Sequence, residues 1–144
     1  MADLATQTGA LPWRQDRNGR VEVLLVTSRR SGRWLIPKGW PMAGRSLAEA
    51  AAQEAFEEAG VEGEIESTPV GWMTHAKQHV LFGPITVRIA VHRLTVEREL
   101  ATWPEVGQRK RRWFSPKQAA EQVDSPELAL MIRQLKSGSR EVKR

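Results

Sequence analysis

The sequence contains no cysteine and no tyrosine. Without cysteine there is no disulfide, no thiolate zinc site and no Cys nucleophile, and the composition fits a reducing compartment. Histidine is scarce. His75, His79 and His92 are the three present, and their spacing suits no single helix face, so a histidine metal set is not expected. No apolar run approaches the roughly 20 residues of a membrane span. Met1-Ala2-Asp3-Leu4 lacks the charged, greasy pattern of a secretion signal. These absences predict a soluble, cytoplasmic protein with no membrane partner. No internal repeat or low-complexity tract is present.

What remains is 144 residues with a formal net charge of +5. That length suffices for one domain with its own core, as a monomer or a homodimer. Most of the charge sits at one end, where Arg133, Lys136, Arg140, Lys143 and Arg144 face Glu141 alone. The body is therefore near neutral, and the basic end reads as a solvated tail. The expected organisation is a flexible N-terminus (1–6), a single domain (7–136) and a basic flexible tail (137–144).

Strands are expected at 21–26, 33–36, 64–65, 70–75, 85–92 and 112–114. The clearest alternation is Ile85, Val87, Ile89 and Val91 against Thr86, Arg88, Ala90 and His92. The segment 38–44, with two glycines and a proline, reads as a loop. Ser115-Pro116 and Ser125-Pro126 open helices. The second, at about 126–136, carries Leu128, Met131, Ile132 and Leu135 on one stripe. The fold class is α+β: an α/β/α sandwich around a mixed, curved sheet.

The informative helix spans about 46–59. Ser46 and Glu49 form a capping box, six alanines supply propensity, and Gly60 is placed as the left-handed stop. At about 100° per residue, Glu58 lies about 40° to one side of Glu54 and Glu57 about 60° to the other. Ala48, Ala52, Ala55, Phe56 and Ala59 form the opposite, apolar face. Like charges this close destabilise a helix, and two lie in the last turn, where the helix dipole disfavours anions. A solvated acidic face is the plain reading of three glutamates. The preceding loop, Pro37 to Gly44, argues for more. Its glycines allow close approach to a ligand, the Gly39 carbonyl is a candidate metal oxygen, and Lys38 is a candidate anion holder. A hard cation such as Mg²⁺ takes oxygen ligands and bridges to phosphates.

Gly39 to Val61 resembles the Nudix box, G-x5-E-x7-R-E-U-x-E-E-x-G-U, with U a bulky aliphatic. Gly39, Glu54, Glu57, Glu58, Gly60 and Val61 match; Ala55 matches weakly. Arg45 and Gln53 depart, standing where the pattern has Glu and Arg. In the family those two positions usually support the loop by an ion pair. Replacing both is milder than stranding one charge, and Arg45, four residues from Glu49, is expected to pair with it. The resemblance covers about residues 7–135. Segments 9–14, 23–28, 33–39 and 107–114 look like the branch of diphosphoinositol polyphosphate phosphohydrolases, which also cleave diadenosine polyphosphates.

The resemblance implies a Nudix-type pyrophosphohydrolase acting on dinucleoside or diphosphoinositol polyphosphates with Mg²⁺ or Mn²⁺. It implies Glu54, Glu58 and Glu57 as metal ligands with the Gly39 carbonyl, and Glu57 or Glu54 as the base. The box is acidic, so phosphate must be met by cations elsewhere. Arg33, Lys38, Gly39, Lys77, His79 and Arg109 are the implied substrate contacts. Arg29, Arg30, Arg88 and Lys110 to Arg112 are further candidates, Arg being suited by its bidentate fork. Trp34 and Trp113 read as core, whereas Trp40 and Trp103 fall in loops where they could stack on a base. The other readings are a non-catalytic nucleotide- or RNA-binding module and an RNA 5′-end pyrophosphohydrolase. Nucleic acid is the lesser partner, favoured only by the basic tail.

Overall fold

The computed structural model describes residues 4–135. Eight strands form one mixed sheet. They are β1 (Leu4–Gln15), β2 (Val21–Thr27), β3 (Trp34–Leu35), β4 (Lys38–Gly39), β5 (Val61–Ile65), β6 (Gly71–His79), β7 (Gly83–Glu99) and β8 (Arg111–Phe114). At its centre β1 and β7 run parallel, from Leu4 beside Thr86 to Trp13 beside Thr95. The other pairings are antiparallel. β6 and β5 pair with the first and second parts of β7. β4 and β2 pair with the opposite edge of β1, and β3 and β8 pair with β2.

Alternation along the strands divides the core into two layers. Val21, Val23 and Leu25 of β2 and Val87, Ile89 and Val91 of β7 face one side. There they pack with Leu128, Met131 and Ile132 of α3 (Pro126–Arg133) and Ala119 and Ala120 of α2 (Pro116–Gln122). Leu24, Val26, Ala10 and Leu94 face the other side, against Ala51, Ala55 and Ala59 of the carboxylate helix. The alanines let that helix lie close to the sheet, and Thr8 Oγ1 fixes its start by donating to Leu47 O at 2.6 Å. This is the expected α+β sandwich.

Several boundaries differ from the sequence reading. β1 begins at Leu4, so residues 4–6 are strand and not a loose end. Its partner β7 lies some eighty positions on in sequence, which is why local pattern did not reveal it. Lys38 and Gly39, read as loop, are strand β4, formed by pairing with Gly9 and Thr8. The end of β6 and the start of β7 run past their expected bounds because the two form one hairpin, and the end of β7 extends along β5. Helix α3 ends at Arg133. The tail 137–144 lies outside the described residues. Among the described residues no helix is long and apolar enough to cross a membrane.

Candidate functional site

The carboxylate helix begins as α1 (Leu47–Glu54) and continues as a π-helical turn, Ala55–Ala59. Its capping box is complete: Ser46 Oγ accepts from Glu49 N at 3.0 Å, and Glu49 Oε1 accepts from Ser46 N at 2.8 Å. Glu49 is thereby engaged at the helix start. Arg45 reaches Gln53 instead, with Nη1 donating to Oε1 at 3.2 Å. The helix stops at Gly60, whose φ is 66° and whose N–H donates to Ala55 O and Phe56 O. Arg111 completes that end: Nη1 donates to Ala59 O at 2.8 Å and Nη2 to Leu100 O at 2.6 Å.

The π turn reduces the rotation per residue, so Glu58 comes more nearly into line with Glu54 than an ideal α-helix allows. The two carboxyl groups are close enough to act on each other's protonation. Burial pushes Glu58 up to about 8, with the Arg109 guanidinium opposing the rise. Glu54 is also raised, first by burial. Its carboxylate fills the space a side chain would take at Gly39. Lys38 N donates weakly to Glu58 Oε1 at 3.4 Å.

Arg109 enters this cluster from the segment before β8. Its Nη2 lies 3.6 Å from Glu58 Oε2, its Nε 2.7 Å from Glu105 Oε1, and its Nη1 donates to Thr27 O at 3.1 Å. The side chain is only 10% exposed. Glu105 also raises both Glu54 and Glu58. No local pattern marked this loop acid. Its backbone N–H donates to Glu57 O at 3.0 Å, which holds the loop against the helix.

Of the three glutamates, Glu57 has a side-chain partner on the helix itself: Gln53 Nε2 donates to Glu57 Oε2 at 2.7 Å. Among the described residues no three His, Asp or Glu side chains form a ready metal cluster. The helix's apolar face shifts as well: Ala48, Ala50, Ala51, Ala55 and Ala59 are buried, while Ala52 and Phe56 line a cleft of about 650 Å³ beside Arg45 and Gln53.

A second cleft, of about 800 Å³, is basic. Arg30, Arg33, Lys38 and Lys77 line it, over a floor that includes Trp34 and Leu128. A recess lined by Arg29, Arg30, Lys38, Glu58 and Arg109 shares Arg30 and Lys38 with it and so brings it next to Glu58. Burial and the neighbouring Lys77 ammonium lower the Lys38 pKa. Burial, Lys38 and Lys77 do the same to His75. Arg33 pairs with Asp124 at the rim. His79 ends β6, and its side chain is outside the described structure.

Other cationic candidates have structural partners. Arg88 stacks on Trp72 at 4.2 Å, and Arg112 lies over Phe114 at 5.3 Å. Arg111 caps the helix and stacks on Trp103 at 4.0 Å. Trp103 also packs on Gly60, so it is not a free stacking platform. Trp40 remains 43% exposed, with Lys77 Nζ 5.6 Å from its ring centroid.

A model of the NUDIX domain matches residues 5–135. The chain belongs to the Nudix family. This Nudix chain is 34% identical over 116 residues to Nudix hydrolase 21, chloroplastic, of Arabidopsis thaliana, covering 78% of the chain and 57% of that protein. It is 33% identical over 123 residues to diphosphoinositol polyphosphate phosphohydrolase 2 of Rattus norvegicus, covering 81% of the chain and 64% of that protein. The chain thus spans less than two thirds of the length of these two relatives. In fold it resembles a C. elegans Ap4A hydrolase binary complex, with TM-score 0.65 and 21% identity over 96% of this chain and 98% of that one. E. coli dihydroneopterin triphosphate pyrophosphohydrolase has TM-score 0.71 and 16% identity, with 91% and 94% covered. Several plant relatives carry chloroplastic or mitochondrial names, so they lend no support to a cytoplasmic location.

Proposed function

We propose that this Nudix chain hydrolyses a phosphoanhydride bond of a polyphosphorylated small molecule, using a divalent metal. Dinucleoside polyphosphates and diphosphoinositol polyphosphates are the leading substrates. One observation carries the reading: Glu58, beside Glu54 on the helix, shares a recess with Lys38 and Arg109, and that recess has Arg30 and Lys38 in common with a cleft also lined by Arg33 and Lys77. Carboxylates alone repel polyphosphate, and cations alone bind it without cleaving it. The names of the rat relative and of the C. elegans neighbour agree with these substrate classes.

The donor set fits Mg²⁺ or Mn²⁺. Burial raises the pKa of Glu54 and of Glu58, which disfavours two bare charges side by side, and a hard dication offers charge compensation with oxygen ligands. In this reading Glu54 and Glu58 hold the metal, with the Gly39 carbonyl and Glu57 as further ligands. When bound, the metal polarises a phosphoryl oxygen and lowers the pKa of bound water. Glu57 is the favoured base for the attacking water, with Glu54 as the alternative. Arg109 offsets the charge of Glu58 and Glu105. Arg33, Lys38 and Lys77 bind the remaining phosphates, with His79 assigned by the family resemblance.

The test is a substrate panel read by product mass. Purified protein with Mg²⁺ or Mn²⁺ should cleave diadenosine polyphosphates or diphosphoinositol polyphosphates, and Glu58→Gln should lose that activity while remaining folded. Unchanged turnover in Glu54→Gln, Glu57→Gln and Glu58→Gln would reject the site. Binding of nucleotide without any turnover would favour the non-catalytic module.

A further inference from the structure

We infer that Arg45 and Gln53, the two positions where this box departs from the family pattern, form a positioning relay for Glu57. The inference rests on the reading of Glu57 as a carboxylate that acts at the metal or on water. Arg45 Nη1 donates to Gln53 Oε1 at 3.2 Å, and Gln53 Nε2 donates onward to Glu57 Oε2 at 2.7 Å. An amide both accepts and donates, so Gln53 transmits the grip of the loop cation to the helix carboxylate. The pattern has an acid in the loop and Arg on the helix. Here the cation has moved to the loop, yet Glu57 still meets a hydrogen-bond donor.

Position separates this relay from substrate binding. Arg45 and Gln53 line the cleft of about 650 Å³ with Gly44, Glu49, Ala52 and Phe56. The basic cleft is lined by other residues, among them Arg30, Arg33, Lys38 and Lys77. Loss of the relay should therefore misplace Glu57 without removing a phosphate contact. Supporting groups behind metal ligands alter affinity or activity by about 10–100-fold, which sets the expected size.

The experiment compares Gln53→Leu, Gln53→Glu, Gln53→Arg and the double variant Arg45→Glu/Gln53→Arg, with folding checked by circular dichroism. Gln53→Leu should lower kcat about tenfold or more while KM stays within about twofold. Mn²⁺ binding, read by electron paramagnetic resonance without substrate, should weaken with it. Gln53→Glu, nearly the same size, sets a like charge against Glu57 and tests the relay even where leucine disturbs folding. Gln53→Arg alone puts two guanidinium groups together, and the double variant restores the family's pairing. Recovery of kcat and Mn²⁺ affinity in the double variant supports the relay. Wild-type values in both Gln53→Leu and Gln53→Glu overturn it, as does failure of the double variant to recover. Unchanged turnover in Glu57→Gln instead removes the premise about Glu57.

Discussion

The backbone of Gly39 packs directly against the Glu54 carboxylate, and a side chain at residue 39 would overlap that carboxylate. Glycine here serves close approach, since its φ is not in the left-handed region. Gly39→Ala should displace Glu54 and lower metal-dependent turnover about tenfold or more. Stability should change little, because the atoms in the way are the end of a flexible side chain that can swing aside. Mn²⁺ titration and urea unfolding of the same variant measure the two effects, and wild-type metal affinity would contradict the first.

The raised pKa of Glu58 predicts an inverse dependence of stability on pH in metal-free protein. The unfolded carboxyl releases its proton near 4.5, while the folded one retains it to about 8. Between those values the unfolded state binds fewer protons, so stability falls as pH rises. Above about 8 the loss from this group is complete. Glu58→Gln removes this contribution and should be more stable than wild type at pH 8 in EDTA, with the difference shrinking towards pH 5. Denaturant unfolding at several pH values measures it, and a constant difference would refute the assignment.

Arg111, a phosphate candidate by sequence, is expected to act on stability. It donates to the Ala59 and Gly60 carbonyls at the end of the box helix and to Leu100 O just after β7, and it stacks on Trp103. Arg111→Ala should destabilise the fold by about 2–4 kcal/mol, because buried acceptors lose a charged donor. Arg111→Lys should recover only part, since ammonium lacks the planar fork. Substrate KM should not change in protein that remains folded.

Lys38 should affect substrate binding. Its ammonium is largely desolvated beside Lys77, with Glu58 and Glu54 only partly offsetting that cost. Lys38→Met should raise KM for a polyphosphate about tenfold or more. It should also flatten the salt dependence of KM, because one fewer cation then meets phosphate. Steady-state kinetics at two ionic strengths provides the check.

Local chemistry made part of this molecule readable in advance. Ser46 and Glu49 close a box within three residues, the alanine face follows helical spacing, and Leu128, Met131 and Ile132 bury as one stripe. The three glutamates fall on the helix as expected. Features set by distant partners were not readable. β1 holds Gly9 and Pro12 and becomes a strand through β7, while β4 becomes one through β1. Glu105 and Arg109 join the carboxylates because β8 and its approach fold back on β2. The π turn, which alters the relation of Glu54 to Glu58, departs from the α-helical geometry that fixed spacing presumes.

The parallel β1–β7 contact has a consequence for biosynthesis. The first strand leaves the ribosome long before its central neighbour, and the acidic helix lies within the intervening stretch. Closing so wide a loop is entropically slow. The nascent chain must therefore wait until about residue 95 has emerged before its middle can zip together. Until then the acidic helix lacks the completed platform on which it rests, so the docking of that helix is a late event in translation.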